Sequence, residues 1–87
     1  MTSLEERLRE TASQYHIADL YVFGSRAAEI AARVRGQAMP DQYPNSDVDI
    51  GVRPLPGQQL SVHDKVCLAI TLEELLDVNR VDLVVLT

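Results

Sequence analysis

In Asp47-Val48-Asp49 the two-residue side-chain period of an extended strand puts both carboxylates on one face. Their Cα atoms would lie about 6.6 Å apart, close enough for the oxygens to converge on a single ion. Like charges at that range repel, and the pair becomes favourable when a hard cation such as Mg²⁺ takes oxygens from both while keeping sites open for substrate phosphates. Taken alone, two such acids are more often a solvated strand face. Upstream, Phe23-Gly24-Ser25-Arg26 carries an apolar strand through glycine into a helix. Backbone N–H groups and the positive end of the helix dipole favour a phosphate there, glycine permits close approach, and Ser25 adds a hydroxyl donor. Taken alone, such a serine is more often a plain helix cap. No G-K-[ST] follows, so this is not a Walker loop. Downstream, Asp82 is a lone acid in an apolar run, and a buried carboxylate needs a partner such as Arg80, Arg53 or a metal. A phosphate grip, a paired acidic clamp and a third acid are together the parts that two-metal phosphoryl or nucleotidyl transfer requires.

The elements that must position these residues can be read from spacing. Ser3 followed by Glu6 is a capping box, and Leu4, Leu8, Ala12 and Tyr15 recur behind it at helical spacing. Ile17 to Phe23 is rich in strand formers and stops at Gly24, which predicts the first strand. From Ala27 a second helix carries Ile30, Ala31 and Val34 inward and an i,i+4 pair, Glu29 with Arg33, on its outer side, ending near Gly36. A breaker-rich loop with Pro40, Tyr43 and Pro44 leads to a second strand, Asp47 to Val52, with one apolar and one functional face. Ser61 with Asp64 caps a third helix whose predicted core face is Val62, Val66, Ala69, Leu72 and Leu76. Asp77 to Arg80 is the turn out, and Val81 to Leu86, apolar except for Asp82, reads as a third strand covered on both sides. The expected order is α-β-α-β-α-β in one α/β domain over residues 1–87, with a small mixed sheet.

Gly24-Ser25, Ser46-Asp47-Val48-Asp49-Ile50 and the later Asp82 resemble the minimal nucleotidyltransferases of the DNA polymerase beta superfamily, whose pattern is G-S, a spacer, D-h-D and a third Asp on a following strand. The resemblance runs from Tyr21 to Leu86. It implies the α+β nucleotidyltransferase fold and a metal-dependent enzyme that transfers AMP from ATP to a hydroxyl, with pyrophosphate leaving. By the same resemblance Gly24 and Ser25 would hold the triphosphate, with Arg26 a further phosphate contact. Asp47 and Asp49 would bind both of two Mg²⁺ ions, and Asp82 would complete the second metal site and help activate the attacking hydroxyl. Stand-alone members are often encoded beside all-helical HEPN proteins, toxic ribonucleases that they neutralise as antitoxins, in some pairs by attaching AMP to a tyrosine. The resemblance therefore implies a HEPN-type protein partner. The rival expectation is a non-catalytic antitoxin or binding module of the same fold acting by contact; such a module has no physical need for all of Gly24, Ser25, Asp47, Asp49 and Asp82. Two departures stand out. The spacer from Ala27 to Ser46 is roughly twice the family's usual length, and the chain stops after the third strand, where relatives continue into another helix, so an uncovered sheet face is expected.

Composition narrows the alternatives. With 87 residues, 46% of them hydrophobic and 24% charged, the chain has the make-up of one small globular domain. A net charge of -5 and the absence of a Lys/Arg stripe argue against a general nucleic-acid binder. The charged stretch from Ser3 to Glu10 and the lack of any apolar run of about 20 residues argue against a signal core or a membrane span. One cysteine, Cys67, in an apolar helical run reads as a buried inert thiol, and with it a reducing cytoplasm is expected. His16 and His63 are assigned no chemistry, Tyr43 reads as an ordinary loop residue, and Arg33 with Arg35 as a solvated helix face. A haloacid-dehalogenase D-x-D reading fails because Gly51 stands where Thr or Val is wanted and Gly24-Ser25 goes unexplained. An EF-hand reading fails because no Glu occupies the twelfth position from Asp47. The sequence leaves open whether two copies pair.

Overall fold

The capping box forms as its spacing predicts: Glu6 N–H donates to Ser3 Oγ at 3.1 Å, and α1 runs Leu4–Gln14. In this computed structural model, residues 3–24, 26–37 and 47–86 are described. Leu4, Leu8, Ala12 and Tyr15 turn one side of α1 onto the core. His16, at φ 56°, then swings the chain directly into β1, Ile17–Phe23. Gly24 ends that strand at φ +86°, a conformation that costs a side-chain-bearing residue energy and glycine little. Its carbonyl accepts from Ala27 N–H at 3.2 Å, and α2 follows as Ala27–Val34.

The sheet is mixed, with strand order β1-β2-β3. β2, Val48–Pro54, lies antiparallel to β1 and parallel to β3, Val81–Val85. A parallel neighbour needs a crossover, and α3, Val62–Leu76, supplies it. Ser61 caps α3 by accepting from Asp64 N–H at 3.0 Å, and Asp77 closes it in the left-handed region at φ 54°. Val48, Ile50 and Val52 of β2 are fully buried together with Ile30, Leu68, Leu72 and Leu76, so all three helices share one face of the sheet. The α-β-α-β-α-β order and the small mixed sheet agree with the expectation from spacing.

Several finer expectations are overturned. The third strand is not covered on both sides: Val81 is buried and Leu83 and Val85 pack inward, while Asp82 and Val84 are exposed. No described element lies over that second face. The core stripe of α3 is Leu68, Leu72 and Leu76, whereas Val62 and Val66 are 76% and 54% exposed. The predicted and observed stripes share Leu72 and Leu76 but differ by a rotation about the helix axis. The Glu29–Arg33 pair forms at 3.1 Å, though inward: Glu29 is buried. β2 also runs past Val52 to Pro54, which is tolerated at a strand end opposite Ile17. Cys67 is only partly buried. Ser25, Tyr43, Pro40, Pro44 and Ser46 lie outside the described residues. No described helix is long and apolar enough to cross a membrane.

Candidate nucleotide and metal site

The register brings three chain segments to one end of the sheet. Phe23 faces Asp49 across the antiparallel pair, and Asp49 faces Asp82 across the parallel one. Neighbouring strands stand about 4.8 Å apart, so the Asp49 and Asp82 carboxylates project side by side from the open face. Val48 and Ile50, on either side of Asp49, point into the core, which locks Asp49 outward through the two-residue period.

Gly24 closes the other side. A Cβ built there would overlap Asp49 Oδ2 and stand 3.2 Å from its carboxyl carbon, so the glycine turn and the Asp49 carboxylate occupy a common space that any larger residue would claim. The glycine of the phosphate-grip candidate and one acid of the clamp, read separately from the sequence, are therefore adjacent. Asp47 lies one pleat beyond, just before β2, where its Oδ2 is 3.8 Å from Arg80 Nε. Both side chains are largely exposed, so this ion pair is worth only about 0–1 kcal/mol and gives way readily.

Asp82 is exposed and solvated, and its expected rescue by Arg80 or Arg53 does not occur among the described contacts. Arg80 reaches Asp47, while Arg53 lies 3.5 Å from Asp19 and 5.8 Å from the centre of the Tyr21 ring. The exposure of Asp82 removes the desolvation that would have required a partner.

Arg26 is placed differently from a phosphate ligand. It is 3% exposed, and its guanidinium grips Glu29 in a fork, Nε to Oε1 at 3.1 Å and Nη2 to Oε2 at 2.6 Å. Glu29 also accepts from Arg33, which in turn donates to the Leu76 carbonyl at the end of α3. The network ties the first turn of α2, immediately after Gly24, to the C-terminus of α3. To meet a phosphate, Arg26 would have to leave a buried bidentate pair.

Hard carboxylate oxygens are the donors Mg²⁺ prefers, and Asp49, Asp82 and a releasable Asp47 supply them at one sheet end. Among the described residues no three His, Cys, Asp or Glu side chains are gathered tightly enough to form a metal cage. The donor set fits an ion that borrows its remaining ligands from water and phosphate better than one held by protein alone. Ser25 lies outside the described residues.

Two juxtapositions escaped the sequence reading. Tyr21 and Phe23, 41% and 42% exposed, lie on the open face in line with Asp49, and Phe23 Cε1 and Leu86 Cδ1 close over Gly51, at 3.2 and 3.1 Å from a Cβ built there. The alternation of aromatics in β1 was the signal, hidden because both faces of that strand are apolar. His63 and Cys67, one helical turn apart, bring Nε2 and Sγ within 3.5 Å on α3, at i,i+4 spacing that the separate treatment of histidines and cysteine overlooked.

Comparison with known proteins finds no significantly matching family model, curated protein or solved structure, so the function of the chain rests on the residues of this site.

Proposed function

We propose that the chain is a metal-dependent nucleotidyltransferase that moves a nucleoside monophosphate, AMP from ATP, onto a hydroxyl. The observation that carries the reading is the shared space between Gly24 and the Asp49 carboxylate, with Asp82 as the next residue across the sheet. A triphosphate seated on the turn after Gly24 would present its α-phosphorus toward these acids. The acceptor oxygen would attack that phosphorus, a new P–O bond would form as the bond to the bridging oxygen breaks, and pyrophosphate would leave. Mg²⁺ bound by Asp47, Asp49 and Asp82 would neutralise phosphate charge and lower the cost of the developing negative charge. Asp82, exposed beside Asp49, would take the proton of the acceptor hydroxyl. The open face, with Phe23 and Tyr21 beside the acids, gives an acceptor room to approach.

The acceptor suggested by the resemblance is a tyrosine on a HEPN-type helical partner. Incubation with labelled ATP and Mg²⁺, together with the product of the adjacent reading frame, tests both levels. A partner mass raised by AMP, and not raised with Asp49→Asn, supports the enzyme. The non-catalytic antitoxin reading draws support from the Asp47–Arg80 pair, which occupies one of the proposed ligands. It predicts a tightly bound, silenced and unmodified partner.

A further inference from the structure

We propose that β1 is the interface through which two copies of this chain pair edge to edge, antiparallel, in one continuous sheet. The proposal does not depend on the nucleotidyltransferase reading. Among the described residues β1 is bonded to β2 on one side only, so the other side offers its N–H and C=O groups outward. Exposed edges are normally guarded by Lys, Pro, bulges or inward charges. Ala18 to Phe23 has no Lys and no Pro, and its one charge, Asp19, is drawn toward Arg53 at 3.5 Å. The single irregularity lies at the Ile17/Asp19 end of the strand.

Both sides of this edge are mainly apolar, with Glu5, Arg9 and Arg35 at the border of the helix side and Asp19 on the other. On the helix side Ala18, Leu20 and Val22 line, with Ala12, Ile30 and Val34, an open groove of about 450 Å³ between α1 and α2. On the other side stand Tyr21 and Phe23. The opposite edge, β3, is shorter, at five residues, and carries the exposed charge of Asp82, which disfavours pairing there.

A second copy is the occupant because the strand complements itself. About a twofold axis at Leu20, the midpoint of Ile17–Phe23, Leu20 meets Leu20, Ala18 meets Val22 and Asp19 meets Tyr21, while Ile17 stays in the core beyond the irregularity. The five residues Ala18 to Val22 take part, the small side chain faces a branched one, and no charge faces its like. A standard interface takes about 800 Å² from each partner, about one-seventh of the 5766 Å² surface of this chain. The antiparallel arrangement sends the two Gly24 turns to opposite ends of the joined sheet, leaving each acidic site accessible.

Light scattering on the purified protein at high micromolar concentration is expected to give twice the 9.7 kDa chain mass. The double variant Ala18→Lys/Tyr21→Lys, at two exposed positions, is expected to fall to the monomer mass with unchanged circular dichroism. In a Cys67→Ser background, Leu20→Cys is expected to give a covalent dimer on oxidation, and Ser13→Cys on α1 is not. A wild-type protein that stays monomeric, a dimer that survives the two lysines, or a dimer without the Leu20→Cys cross-link would each overturn the proposal.

Discussion

At the scale of single residues, the site turns on how little room separates Gly24 from Asp49. Gly24→Ala adds a Cβ where the Asp49 carboxylate stands and forces φ +86° on a residue that disfavours it. The backbone cost is about 1–2 kcal/mol, and the carboxylate, being the free end of a side chain, swings aside. The expected outcome is a folded protein, by circular dichroism, that has lost nucleotide binding in calorimetry. Asp49→Asn removes a negative charge next to Asp82 without changing shape. It is expected to abolish Mg²⁺-dependent nucleotide transfer while leaving the fold intact or slightly stabilised without metal, because like-charge repulsion is relieved. Full transfer activity in that variant would refute the assignment of the paired acids. Arg80→Ala should leave stability within about 0.5 kcal/mol, as expected for an exposed ion pair. If Asp47 is a metal ligand held by a releasable partner, Mg²⁺ titration of that variant should show affinity equal to or tighter than the parent's.

The elements are joined by contacts of very different worth. Glu29 sits buried between Arg26 and Arg33, and through Arg33 the Leu76 carbonyl is bound to α2. Removing one partner of a buried ion pair costs about 3–5 kcal/mol. A domain has about 5–15 kcal/mol in all, so Glu29→Ala should lower the urea midpoint severely, and a change below about 1 kcal/mol would mean the network is not holding α2 to α3. On α3 the two apolar stripes should separate cleanly. Leu72→Ala, at a fully buried site, is expected to cost about 2–5 kcal/mol, and Val66→Ala, at a half-exposed one, less than about 0.5 kcal/mol. Spacing alone could not decide between these stripes, since Val62, Val66 and Ile70 join Leu68, Leu72 and Leu76 in surrounding the helix with apolar residues. The sheet chose the face that all three leucines could reach.

For the molecule as a whole, a sheet that the described helices cover on one face leaves Tyr21, Phe23 and Val84 exposed. If two copies join along β1, folding and association are linked, and the thermal midpoint should rise with protein concentration. The Ala18→Lys/Tyr21→Lys variant should show a midpoint independent of concentration.

What the sequence determined by itself was local. Capping at Ser3 and Ser61, the Gly24 stop, the strand alternation around Asp49 and the order of elements depend on neighbours a few residues apart, and those neighbours are visible in a string. The inward face of α3, the cover over β3 and the inward turn of Glu29 were matters for the tertiary structure. Whether β3 is covered once or twice depends on how many helices arrive to cover it, which its own apolar run does not record. Arg26 reads as a phosphate contact after a glycine turn, and becomes a buried anchor because Glu29 lies within reach. Adjacency of Gly24, Asp49 and Asp82, separated by up to 58 positions, exists only because an antiparallel and a parallel pairing share the central strand. Hydrogen-bond register converts distant sequence positions into one row, and no local propensity carries that information.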